Sequence, residues 1–115
     1  MSDKRANISD LIIKKTTVNF DYTPIPLGKK WTLVDMTVSD VNIGGNESST
    51  YEILFGPLPA GPFISIRFLA VTGTTYTHNI NEELTGDGIQ AIRIARTNNS
   101  NTDKRLPFYL TMYER

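Results

Sequence analysis

The chain has 115 residues, twelve Lys+Arg against twelve Asp+Glu, and no cysteine. That length fits one domain. The zero formal charge argues against a nucleic-acid binder, which needs a basic stripe, and the missing thiols exclude disulfides, thiolate nucleophiles and zinc–thiolate sites.

The N-terminal stretch "MSDKRANISDLIIKK" is charged, and its longest apolar run is Leu11 to Ile13. It reads neither as a signal peptide nor as a membrane span, so the protein is expected to be made in the cytoplasm, with no membrane insertion. Residues 1–13 read as an edge strand or an extended arm. The next run, "TTVNFDY", places Val18, Phe20 and Tyr22 on one face of a strand. A corner follows, "TPIPLGKK". Pro24 and Pro26 fix φ and remove donors, so pairing must stop there, and Gly28 can supply a positive φ. Such a corner suits a chain leaving one sheet for another.

In "WTLVDMTVSDV" Val34, Met36 and Val38 alternate inward, while Trp31 and Leu33 fall on the opposite parity. A bulge is therefore expected near Leu33–Val34. "YEILF" gives Tyr51, Ile53 and Phe55 one face, and "FISIRFLAV" sets Ile64, Ile66 and Phe68 against Ser65 and Arg67. "TYTHNI" aligns Tyr76, His78 and Ile80, and "IQAIRIAR" sets Ile92 and Ile94 against Arg93. The last run, "PFYLTMYER", opposes Phe108, Leu110 and Met112 to Tyr109, Thr111 and Tyr113. No window sustains a helical period. The prediction is an all-β chain: residues 1–115 form one antiparallel β-sandwich, jelly-roll-like, of about seven to eight strands.

Chemistry-bearing groups are sparse. His78 has no Gly-x-Ser-x-Gly elbow to serve, and it reads as a packed or rim residue. Glu82, Glu83 and Asp87 cluster without a second cleft-forming domain. "NNSNTD", from Asn98 to Asp103, has oxygens but one formal charge, too little for calcium. No catalytic residue, cofactor or metal is expected. Trp31 reads as core. Arg67, Arg93 and Arg96 are placed on strand faces turned from the core, where arginine suits subunit contacts.

Two stretches carry a family resemblance. "YTPIPLGKKWTLVDMTVSD" is similar to the opening of small virion-associated β-sandwich proteins of tailed phages. "LTGDGIQAIRIARTNNSNTDKRLPFYLTMYER" resembles the end of the same family type, with its Gly-Asp-Gly turn, Ile-Arg-Ile strand and amide-rich loop. The chain departs from that pattern at Thr111-Met112-Tyr113-Glu114, where Gly-Tyr-Glu is usual. The resemblance implies a virion structural role in head decoration, head–tail joining or the tail tip, without enzyme activity or cofactor.

The reading for function is thus a phage-type virion structural protein that self-assembles, as a trimer, and docks on capsid or tail components. The alternative is a small carbohydrate-binding module that recognises surface glycans through Asn/Ser/Thr-rich loops. Successive loops of an antiparallel chain alternate between two ends. One end gathers residues 23–30, 56–62 and 81–88, the other 42–50, 72–75 and 97–105. The proline-rich first end supplies the assembly candidates Ile25, Leu27 and Leu58, read as exposed, joined by Arg67 and Arg93. The second end supplies the ligand-loop candidates Asn46, Asn98, Asn99, Asn101 and Asp103.

Overall fold

The computed structural model describes residues 2–40, 48–72 and 75–115. In that description the chain is all-β, as expected, with eleven strands: β1 Ser2–Asp3, β2 Ala6–Ile8, β3 Leu11–Ile12, β4 Thr17–Asp21, β5 Lys30–Ser39, β6 Ser49–Pro57, β7 Ile64–Val71, β8 Thr75–Thr85, β9 Gln90–Asn98, β10 Lys104–Arg105 and β11 Phe108–Glu114. One sheet runs β1–β11–β5–β8, with β2 also on β11, and a second runs β4–β9–β6–β7. Every pairing is antiparallel.

The pairings nest. Strands β1 and β2 pair with β11, β4 with β9, β5 with β8, and β6 with β7. The chain is one long hairpin rolled up, and contacts of β11 with β5 and of β9 with β6 complete each sheet. This is the strand order of a jelly roll. The short β3–β10 ladder joins the two segments in which the chain crosses between sheets on either side of β4 and β9.

The N-terminal segment is extended and pairs as an edge strand. Asp3 pairs with Tyr113 and Asn7 with Tyr109 of the same chain.

Alternation decides the core. In β6 Ser49, Tyr51, Ile53 and Phe55 turn inward, and in β11 Phe108, Leu110 and Met112 do the same. Apart from Ser49 they meet Leu33, Met36, Val38, Ile92 and Ile94 in a single apolar cluster. The bulge expected in β5 is there. Val34 has no partner on β11, where Thr111 faces Asp35 and Met112 faces Leu33. Against β8, Ile80 and Asn81 occupy the same gap, with Asn81 at φ 54°; asparagine tolerates that region better than most residues. The slip brings Trp31 and Leu33 onto the same face as Met36 and Val38, so Leu33 is buried and Val34 is half-exposed.

A second bulge, at Ile66, overturns the alternation expected in β7. Arg67 faces Ile53 and Ser65 faces Leu54. Leu69 and Val71 therefore turn inward, and Phe68 turns out, 60% exposed. The expected loop over 81–88 is also shorter, because β8 continues to Thr85.

The Pro24–Pro26 corner does link the sheets, from β4 in one to β5 in the other. Ile25 anchors it: its N–H donates to the Gln90 carbonyl at 3.0 Å, and its own carbonyl accepts from Gly88 at 2.9 Å. A Cβ at Gly86 would lie 2.1 Å from the Pro26 carbonyl oxygen, so only glycine lets the two turns touch.

Candidate assembly surface

A two-sheet sandwich has two long sides where the outermost strands of the sheets face each other. On one side these are β4 and the β1/β2 segment; on the other they are β7 and β8.

The first side is sealed by aromatic rings. Phe20 meets Tyr22 edge-on at 5.3 Å and Phe108 at 5.7 Å, and Tyr22 meets Trp31 at 6.1 Å. Trp31 donates its indole N–H to Glu114 at 2.8 Å, and the Lys4 ammonium lies 5.8 Å from its ring centroid. Edge-to-face contacts of this kind add to the area they bury. Burial raises the Tyr22 phenol above its ordinary pKa.

On the second side the first half of β7 is latched. Arg67 reaches across to β8, donating to the Ile80 carbonyl at 2.8 Å and pairing with Glu82 at 3.1 Å. Beyond the latch the two edges part. Phe68, Leu69, Ala70, Val71 and Thr72 line a cleft of about 290 Å³ with Tyr76 and His78. The Tyr76 and His78 rings lie 6.0 Å apart, tilted by 33°. Ile64, Phe68 and Tyr76 are 62%, 60% and 48% exposed, and among the described residues nothing covers them. An edge strand with apolar side chains in water is a ready site for another chain.

Of the loops expected at the two ends, residues 42–47 and 73–74 lie outside the described residues. The turns around Ile25 and Gly88 meet at one end, while Lys14 and Lys15 meet the 99–103 loop at the other. The individual residues differ from expectation. Ile25 is fully buried, so it is a clamp inside the proline end and no assembly contact. Leu27 is 79% exposed, and Leu58 is half-buried.

Arg67 and Arg93 are both engaged within the chain. The Arg93 guanidinium pairs with Asp21 at 2.6 Å, donates to the Pro59 carbonyl at 2.9 Å and lies 4.4 Å from the Phe63 ring centroid. Arg96 is not turned outward. It shares the inner face of β9 with Ile92 and Ile94, wholly buried, pairing with Asp10 at 2.7 Å.

The amide-rich end is a strut. Asn98 is fully buried: its amide donates to the carbonyls of Ile12 and Thr102, both at 2.9 Å, and its oxygen accepts from Ser100. That removes Asn98 from any ligand surface. Asp103 accepts from the Lys14 N–H at 2.9 Å, and the Asn99 carbonyl accepts from the Lys15 ammonium at 2.6 Å. Asn101 is exposed, and Asn46 lies outside the described residues. Beneath them Lys104 and Asp40 form an enclosed ion pair at 2.9 Å.

Sequence reasoning passed over the β7–β8 side. The signal was the uncharged run Phe68-Leu69-Ala70-Val71-Thr72, whose outward residue was misassigned by the bulge at Ile66.

No family model and no curated protein matches this chain. Among solved structures it is similar to the NLP core of Drosophila, described in connection with pentamer formation and histone binding. The two are 13% identical, the match covers 96% of this chain and 98% of that one, and the TM-score is 0.40. Chains of infectious bursal disease virus, strains Gx and Gt, match at 9% and 10% identity with TM-scores of 0.38 and 0.36. Each of those matches covers 98% of this chain, which spans about a third of theirs (32%). At such identities and scores the likeness carries no argument about function. Among the described residues no helix is long and apolar enough to cross a membrane.

Proposed function

We propose that the protein is a non-enzymatic structural subunit of a phage-type virion, which associates with its own copies and docks on a capsid or tail component. The observation that carries the assembly reading is the uncovered apolar side formed by Ile64, Phe68 and Tyr76 along β7 and β8. Water-exposed apolar patches on sheet edges are costly to leave bare and characteristic of protein contacts. The likeness of residues 22–40 and 84–115 to virion-associated sandwiches supports placing that assembly in a particle. Association of copies through that edge would cover it in each of them.

The test is recovery from particles. Phage particles purified from the source should contain the protein at a fixed ratio to the major shell or tail protein by quantitative mass spectrometry. The variant Phe68→Asp with Tyr76→Asp should fold normally yet be depleted from the particles. Absence of the wild-type protein from purified particles, or undiminished incorporation of the double variant, overturns the reading.

A further inference from the structure

Resting on that reading of the β7–β8 side as an assembly surface, we infer that the self-contact is a two-fold antiparallel pairing of the second half of β7 with the same segment of another copy, centred on Ala70. Strand β7 is the outermost strand of its sheet, so among the described residues one of its backbone edges has no strand beside it. Its first half is unsuited to pairing: Ile66 is bulged out of register and Arg67 is drawn across to Ile80 and Glu82. Bulges and inward-turned charges are the devices by which natural edge strands refuse partners.

From Phe68 to Thr72 those devices stop. The five residues hold no charge, proline or glycine and are rich in β-branched and aromatic types, the composition of a pairing-prone segment.

The occupant follows from symmetry. An antiparallel pair of identical segments is related by a two-fold axis, so the contact uses one surface twice and closes on itself. Centred on Ala70, it sets Phe68 opposite Thr72 on the outer face and Leu69 opposite Val71 on the inner face, with Ala70 facing its own copy. An earlier centre brings Arg67 into the ladder, and a later one carries half of the ladder beyond the strand, which ends at Val71, whereas the Ala70 centre adds only Thr72. No charge meets a like charge, and the pairs on either side of Ala70 each include an aromatic or β-branched residue, the types that stabilise cross-strand positions. The result is a continuous eight-strand sheet, β4–β9–β6–β7 from each of two copies. Such a contact links two subunits directly.

The chain has no cysteine, so a single introduced thiol reports proximity without background. Opposed Cβ atoms in an antiparallel pair lie roughly 4.5–5.5 Å apart, close to disulfide distance. Full-length Ala70→Cys under mild oxidant should form covalent dimers much faster than Leu27→Cys, although Leu27 is itself 79% exposed. Equal rates, or none for Ala70→Cys, overturn the inference.

A second arm uses charge. Ala70→Lys and Ala70→Glu, each at an exposed position, should sediment as monomers alone and as a heterodimer when mixed. Wild-type protein that is monomeric across the accessible concentration range, or charge variants that associate alone, also overturns it. Cross-linking without recovery in particles would defeat the virion reading and leave this pairing standing; recovery without cross-linking would do the reverse.

Discussion

The two long sides of the sandwich are built from the same kind of strand and end in opposite ways. On the β4 side, rings from three strands and the connecting corner, Phe20, Tyr22, Trp31 and Phe108, interlock across the gap between sheets. On the β7–β8 side Arg67 spans the gap with an ion pair to Glu82 and a hydrogen bond to the Ile80 carbonyl, and three large apolar side chains stand in water. Topology explains the difference. Two of the chain's passages between sheets, before β4 and after β9, pair with each other as β3–β10, burying Ile12 and Leu106. Strand β8 follows β7 after three residues, and among the described residues no ladder like β3–β10 spans that side. A rolled hairpin is thus sealed where its termini meet and open near its tip.

The most severe test of that contrast compares two phenylalanines. Phe108→Ala, at 1% exposure, should cost about 3–5 kcal/mol, read as a lower urea midpoint at unchanged slope. Phe68→Ala should change folding stability by no more than about 0.5 kcal/mol, while weakening association. Similar losses at both sites would erase the distinction between the sides.

A smaller effect is expected from the latch. Arg67 is a third exposed, at 32%, so Arg67→Ala should cost about 0.5–1.5 kcal/mol. The sharper readout is local: amide exchange along β8 near Ile80 should accelerate, while β4 and β11 stay protected. Uniform acceleration would mean the ion pair supports the whole fold and not one side.

The smallest effect concerns the turn beside the proline corner. The Asp87 carboxylate accepts N–H bonds from Gln90 at 2.8 Å and Ile89 at 2.9 Å, which hold its pKa below the ordinary carboxylate value. A depressed folded-state pKa contributes stability that is present above the unfolded value and lost as pH falls through the folded one. Carboxyl NMR should therefore show Asp87 titrating below a free aspartate, and Asp87→Asn should flatten stability slightly on the acid side. An unshifted titration would remove this turn as a fixed point of the closed end.

Local sequence determined the strands and most of the faces. Tyr51, Ile53 and Phe55, and then Phe108, Leu110 and Met112, alternate without interruption, and a period of two has only one way to bury them. The Val34 bulge was legible too, because Trp31 and Leu33 conflict in parity with Met36 and Val38. Tertiary structure decided what single-strand parity cannot see. Ile66 slips out of register without any change in composition, and that one residue exchanges the faces of Phe68 and Leu69. Ile25 sits between two prolines in a stretch that reads as an exposed corner; it is buried because the turn at Gly86–Gly88, some sixty residues on, folds over it. Asn98 and Arg96 have the chemistry of surface groups, yet partners from the N-terminal segment, the Ile12 carbonyl and the Asp10 carboxylate, make their burial affordable. Periodicity is a property of neighbours along the chain, whereas the satisfaction of a buried polar group depends on segments that only the rolled-up hairpin brings together.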